Sequence, residues 1–146
     1  MLAIAIAPAV SPPPVVRQYR DLAMSPAGDE VAAVEYSATG EEAKEPHRTV
    51  VIRRASEGSI LQRLDPCATC EYGGPAWSPD GAKLAFVAID PETFTATLEI
   101  AEAVAVRVAA TIKGLAATPR WSPDGASIAI LATPGARKRT GAVEAG

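Results

Sequence analysis

Three short runs of apolar residues stand out along the chain because polar residues do not interrupt them. They are residues 31–34, 84–87 and 128–131. A strand with one face in water alternates apolar and polar side chains, whereas a continuous apolar run indicates that both faces are covered. We therefore expect each run to be a strand enclosed between neighbouring sheets.

The same phrase precedes each apolar run, and its recurrence organises the chain. The two clear copies and one weaker copy are Trp77-Ser78-Pro79-Asp80-Gly81, Trp121-Ser122-Pro123-Asp124-Gly125 and Met24-Ser25-Pro26-Ala27-Gly28. Successive serines are 53 and 44 residues apart. A repeat of ~40–50 residues is typical of propeller blades, each a small antiparallel sheet.

Each residue type in the phrase suits a tight hairpin. Pro after Ser presets φ for the first central position of a type I turn, Asp suits the second position, and Gly takes the left-handed position that follows. The residue before Ser then ends the preceding strand. We expect Trp77 and Trp121, with Met24 in the weaker copy, to place their large side chains between neighbouring units.

Four further segments have the residue types and spacing of strands. Residues 49–53 and 60–64 follow the first hairpin, and residues 94–101 and 105–112 follow the second. The segments 37–47 and 65–74 are expected to be loops inserted between strands. The sequence thus predicts an all-β fold, a partial β-propeller of about three four-stranded antiparallel blades, within a domain of residues 20–146. The predicted blades are residues 20–65, 74–112 and 118–146, the last incomplete.

The start of the chain differs in character from the rest. Residues 1–10 are apolar or Pro throughout, and Ser11-Pro12-Pro13-Pro14 follows. This is about half the ~20 residues of a membrane span, although 7–15 apolar residues suffice for a secretory signal. We interpret residues 1–19 as a signal-like segment with a Pro-rich linker; the alternative is a plain disordered tail. The first interpretation predicts export, to a bacterial periplasm or outside the cell, and no stable membrane span.

Charge argues against a nucleic-acid partner. The chain has 14 Lys and Arg against 17 Asp and Glu, a net charge of −3. A general binder of polyanions is expected to be basic. The single basic run, Arg137-Lys138-Arg139, is more typical of a solvated loop, and we assign it no function.

The two cysteines, Cys67 and Cys70, admit several interpretations. A redox pair would begin a helix after a strand, and a zinc site needs about four ligands, whereas here a loop composition surrounds one pair. A local disulfide that pins the inserted loop is favoured and agrees with export. Two reduced thiols remain the alternative. No metal or cofactor is predicted.

The sequence lacks the motifs of a catalytic centre. No Gly-x-Ser-x-Gly elbow occurs, and the only histidine, His47, lies in a loop without an evident partner. Glu41 and Glu42 form an acidic pair in the same loop, which we interpret as solvated. We therefore predict that this chain has no catalytic residues of its own.

The repeated residues also resemble a known family. Pro-x-Trp-Ser-Pro-Asp-Gly followed by a strand of small apolar residues is similar to the WD40-like repeat of TolB-type periplasmic proteins. The same repeat occurs in the propeller domain of prolyl oligopeptidase-family serine peptidases, including acylaminoacyl and dipeptidyl peptidases. The resemblance covers roughly residues 20–135 and is far more specific for fold than for function.

The resemblance implies three possible functions. The favoured one is the segment of a secreted peptidase's propeller that gates the entry of peptides to an α/β-hydrolase domain elsewhere in the parent chain. The alternative is a TolB-type propeller that docks partner proteins in the periplasm. A third is the propeller of an unrelated hydrolase or lyase. In each case the partners include the remaining blades, because three blades would leave apolar sheet faces uncovered.

Overall fold

The computed structural model describes residues 15–39 and 47–137, with side chains described for residues 17–36 and 47–137. Every regular element in these ranges is a β-strand, and all strand pairs are antiparallel. The predicted all-β class is confirmed. The described part of the chain contains no helix long and apolar enough to span a membrane.

The first sheet has four strands in sequence order. They are β1 (Val15–Met24), β2 (Glu30–Thr39), β3 (Thr49–Arg54) and β4 (Ile60–Leu64). β1 already begins at Val15, so residues 15–19, which the sequence assigns to the linker, are part of a strand. Residues 1–14, which include most of the signal-like segment, lie outside the described residues.

The second sheet has five strands, also in sequence order. They are β5 (Glu71–Trp77), β6 (Lys83–Asp90), β7 (Thr95–Glu102), β8 (Ala105–Trp121) and β9 (Ile128–Pro134). β5 begins at Glu71, so the loop predicted for residues 65–74 is shorter than expected. β8 also contacts β5 and β6, because the sheet curls strongly back on itself.

The prediction of three separate sheets is wrong, because the structure has two. β8 continues without a turn from the second repeat into the third hairpin, and it pairs with β7 along its first half and with β9 along its second. Gly114, at a φ of 131°, lies between the halves. The chain therefore changes direction inside one strand, where the sequence predicted a connection between two.

The three hairpins nevertheless share one backbone geometry. The glycine N–H donates to the serine carbonyl at 2.9 Å in each copy, and each of these glycines, Gly28, Gly81 and Gly125, has a φ near 70°. We use three repeat units below. The first unit is residues 15–64, the second 71–113 and the third 114–134.

Two clusters of buried side chains hold the units together, and β6 contributes to both. Leu84, Phe86 and Ala88 face the first unit, and Val87 and Ile89 face the third. Alternate residues of a strand point to opposite faces, so both faces of β6 are covered and residues 84–89 are all buried. The enclosure that the sequence predicted for this run is confirmed.

The same expectation is wrong for the third apolar run. Ile128 and Ile130 are only half-buried, Ala129 is exposed, and Leu131 is 70% exposed. Within the described residues no unit covers the outer face of β9. The sequence of β9 matches that of β6, but burial requires a neighbour that these residues do not provide.

Candidate functional site

The three units share a β-bulge three residues before the Trp or Met position. Asp21, Gly74 and Thr118 occupy this position, with φ of 51°, 61° and 56°. The strand pairing shifts its register at each of these points. Left-handed φ at two residues that carry a Cβ is uncommon and is often associated with functional sites.

All three bulges line one groove, the candidate functional site. Its volume is about 730 Å³, within the ~300–1,000 Å³ typical of small-ligand sites. The first unit contributes Asp21 and Leu22, and the third contributes Thr118, Arg120 and Leu131. Backbone from the second unit, residues 73–75, also lines it. The groove is therefore built by the stacking of units and does not exist in any one of them.

The groove offers opposite charges and apolar surface. The Asp21 carboxylate accepts a hydrogen bond from the backbone N–H of Gly74 at 3.2 Å, which ties the first unit to the second. Arg120 is exposed, and its guanidinium donates to the carbonyl of Pro119. Leu22 and Leu131 are about two-thirds exposed. A ligand with both ionic and apolar groups fits this lining.

The two tryptophans bridge consecutive units. The indole N–H of Trp77 donates to the carbonyl of Ala23, and that of Trp121 donates to the carbonyl of Ala76, at 3.2 and 2.9 Å. Ala23 and Ala76 each precede the Met or Trp position of the unit before. The same indole thus makes the same contact at both junctions.

A proline and a glycine repeat this relationship at the turns. A Cβ built on Gly81 would lie 3.6 Å from Cδ of Pro26, and one on Gly125 would lie 3.6 Å from Cδ of Pro79. The proline of each unit therefore sits against the glycine of the next. The residues of the repeated phrase serve the junctions as well as their own hairpins.

Serine and aspartate close each clear copy of the turn. The Ser78 hydroxyl donates to Asp80 and accepts from the N–H of Lys83, and Ser122 makes the same contacts with Asp124 and Ser127. These hydroxyl bonds, with help from backbone N–H groups, hold the pKa of Asp80 and of Asp124 below the ordinary value. In the weaker copy Ser25 bonds Asp29 instead, two residues further along.

A second polar cluster surrounds the cysteines, which form a disulfide in the structure. The Tyr72 hydroxyl lies 3.0 Å from Asp65 and 2.8 Å from the carbonyl of Cys67, and it accepts from the Cys67 N–H at 2.7 Å. Burial raises the pKa of Tyr72 far above its usual range. Cys70 is buried in the core, so the disulfide anchors the loop to the first cluster.

His47 belongs to the same cluster. Its Nε2 lies 2.8 Å from Asp65, and its ring meets the ring of Tyr72 edge to face, with centroids 5.9 Å apart. His47 is exposed, but the expectation that it has no partner was wrong. The separation of 18 positions between His47 and Asp65 hid the pair, because only the pairing of β3 with β4 brings the two residues together.

The sequence also gave no sign of a buried ion pair in the first unit. The Glu35 carboxylate accepts two bonds from Arg53, at 2.8 and 3.2 Å, with side chains 4% and 14% exposed. The hydrogen bonds that Arg53 donates to Glu35 raise the pKa of Arg53. Glu35 lies in β2 directly after the apolar run and pairs with Thr49 of β3, whereas Arg53 pairs with Val31. The ion pair therefore became recognisable only from the side-chain contacts.

Other predicted features fall outside the sites described above. Glu41, Glu42, Lys138 and Arg139 are not among the described residues, and Arg137 is exposed. Within the described ranges, no group of three or more His, Cys, Asp or Glu side chains is arranged to hold a metal ion.

No protein-family model matches the sequence, and no curated protein is significantly similar to it.

Proposed function

We propose that this chain is a run of consecutive blades from a β-propeller. The observation that carries the proposal is the identity of the two junctions, where the indole of one unit bonds the same carbonyl of the unit before. The recurring bulges and the proline-on-glycine contacts support it further. Units that stack by one repeated operation are what a propeller requires. In this interpretation the first half of β8 is the outer strand of the second blade, and the second half is the inner strand of the third.

The function we propose is to gate the entry of peptides to the hydrolase domain of a secreted prolyl oligopeptidase-like serine peptidase. The repeated phrase and its strands support the family. The groove supports a role in peptide entry, because it presents a carboxylate, a guanidinium and apolar side chains to an extended chain. A peptide carries charged termini and apolar side chains, so it can pair with the carboxylate and the guanidinium and pack against the apolar side chains.

The selection would be steric. Side chains enclosed on both faces, as in β6, make the stacked units stiff, since packed interiors deform little. A short or extended peptide can then pass a fixed opening that a folded protein cannot. The gating needs no reactive group in this chain.

The decisive experiment begins with the complete open reading frame that contains residues 1–146. A Gly-x-Ser-x-Gly elbow with later Asp and His is expected downstream, and a serine-directed fluorophosphonate should label the full product. Peptides of increasing length should be cleaved until a size limit is reached, and folded proteins should be spared. A full product without such an elbow that resists the probe would overturn the peptidase assignment.

Groove variants of that full product test the gating itself. Arg120→Ala should change the KM for peptides near the size limit and leave kcat for a dipeptide substrate unchanged. Arg107→Ala is the matched control, because Arg107 is an exposed arginine of β8 outside the groove. Equal effects of both variants on KM would show that the groove does not contact peptides.

A protein-docking propeller of the TolB type is the second candidate. Two exposed apolar side chains favour it, because a docking surface presents apolar groups to a partner protein. Val104 is 94% exposed in the β7–β8 turn, and Val108 is 55% exposed on the outer part of β8. If the open reading frame encodes only further repeats after Gly146, this candidate replaces the first.

A further inference from the structure

The two ends of the stack of units carry complementary surfaces. We define the leading face as the side of the first unit that carries Met24 and Gly28, and the trailing face as the side of the third unit that carries Pro123 and Leu131. At each internal junction the leading face of one unit meets the trailing face of the unit before. The two terminal faces carry the counterparts of these junction positions, except that the first unit has Glu35, paired with Arg53, where the second unit has Ala88.

The leading face is open at its edge, at Met24 and Gly28. At its centre Ala33 and Glu35, the counterparts of Phe86 and Ala88, are already buried, and Glu35 is paired with Arg53. Met24 replaces the junction tryptophan and is 59% exposed. A Cβ built on Gly28 would meet no described atom within 4 Å, whereas Gly81 and Gly125 each have a proline at 3.6 Å. The seat for a preceding unit's proline is therefore present and vacant within the described residues.

The trailing face is open as well. Leu131 is 70% exposed, although Val87, its counterpart in the second unit, is 2% exposed where the third unit covers it. Pro123 is exposed, and it corresponds to the prolines that seat against Gly81 and Gly125. The Arg120 carbonyl corresponds to the carbonyls of Ala23 and Ala76 that accept the indole bonds.

We propose that the trailing face of one copy of this chain binds the leading face of a second copy, head to tail. The internal junctions show that a trailing face is covered by the leading face of another unit. A second copy of this chain carries such a leading face. The first two units have four strands each and the third has two in the described residues. Two copies therefore bring together four complete units and two partial ones, within the four to eight blades of closed propellers, so a closed dimer is expected. The inference does not depend on the proposed role in a peptidase.

The experiment measures the mass of the 146-residue chain in solution by light scattering and sedimentation over a micromolar concentration range. Wild type should approach twice its mass of 15.1 kDa. Met24→Glu and Leu131→Glu should each weaken association about tenfold or more, because each places a carboxylate in an apolar junction. Glu92→Lys is the control, since Glu92 is exposed in the turn between β6 and β7 of the second unit, and it should change nothing.

Mixing the two variants separates head-to-tail association from other modes. A mixture of Met24→Glu with Leu131→Glu retains one intact pair of faces and should form a heterodimer at concentrations where each variant alone is mostly monomeric. Such rescue also shows that both variants are folded. A wild-type dimer whose variants show no rescue on mixing would overturn the proposal, as would a wild type that stays monomeric throughout the range.

The substitution Met24→Trp tests whether association can be strengthened. The indole would restore the junction residue of the other two units and could donate to the Arg120 carbonyl of the partner copy. Association should tighten about fivefold, the net effect of one hydrogen bond. Unchanged or weaker association of Met24→Trp would contradict the equivalence of the terminal faces with the internal junctions.

Discussion

The ring of Tyr72 meets the ring of Phe86 edge to face, with centroids 5.8 Å apart. Phe86 comes from the centre of β6 and is fully buried against the first unit. Tyr72 places its ring in the same cluster while its hydroxyl bonds the cysteine loop. One aromatic pair thus connects the junction of two units to the loop that joins them.

Phe86→Ala should therefore destabilise the whole stack. Truncation of a fully buried Phe costs about 3–5 kcal/mol through lost burial and the cavity that remains. Urea unfolding followed by circular dichroism gives the loss. Phe86→Leu is the matched control and should cost much less, because it refills most of the volume. Similar losses for the two variants would show that the site tolerates a cavity and that the units are loosely packed.

The junction hydrogen bonds should contribute separately from apolar burial. Trp77→Phe removes the indole donor to Ala23 but keeps an aromatic ring, so we expect a loss of about 1 kcal/mol in the free energy of unfolding. Trp121→Phe removes the equivalent bond to Ala76 and should behave alike. A large loss at one position and none at the other would mean that the two junctions are not equivalent.

The hairpins were predictable because they are local. A turn depends on the φ preferences of Pro and Gly over five residues, and the same five residues recur, so the sequence identified Ser78, Asp80 and their counterparts. The bulges at Asp21 and Thr118 were not predictable. Neither residue type demands a left-handed φ, and the conformation arises from pairing between strands and contact between units.

The number of sheets was wrong for a related reason. Nothing in the composition around Gly114 distinguishes a change of direction within one strand from a turn between two, since glycine permits both. The polar cluster at His47, Asp65 and Tyr72 was missed because its members come from distant segments. Local chemistry was readable from the sequence, whereas contacts fixed by packing required the structure.

The disulfide should stabilise one loop more than the fold. It closes a ring of only a few residues, for which loop entropy gives about 2 kcal/mol. A variant with Cys67→Ala and Cys70→Ala should lose about that amount, and hydrogen exchange should increase mainly at residues 65–72. Reduction of the wild type with dithiothreitol should have the same effect, and dithiothreitol should leave the double variant, which has no cysteine, unchanged. Uniform faster exchange across both sheets would contradict a local role.

Acid should weaken the turns that Asp80 and Asp124 close. Their pKa values are lower in the folded chain than the ordinary 3.8, so their contribution is present above that value and is lost as pH falls through the folded pKa. The variant Asp80→Asn with Asp124→Asn keeps an acceptor oxygen but cannot titrate. Wild type should be more stable at neutral pH, and the difference should shrink below about pH 4. Urea unfolding at several pH values measures this difference in stability. A difference that is constant with pH would show that ionisation of these two carboxylates does not contribute to stability.

Gly114 should be the glycine that the fold tolerates least well as alanine. Its φ of 131° suits a residue without a Cβ, and a Cβ there would overlap the carbonyl oxygen of Thr133 in the paired strand β9. Gly28→Ala is the control, because Gly28 has a φ of 76° but open space where a Cβ would lie. Its loss of stability, about 1–2 kcal/mol, therefore reports only the conformational strain. Gly114→Ala adds a backbone clash to that strain and should lose clearly more stability in urea, with faster hydrogen exchange in β9. If the two variants lose equal stability, then β8 and β9 can separate at this point at no cost, and the continuous strand is not what holds the third unit to the second.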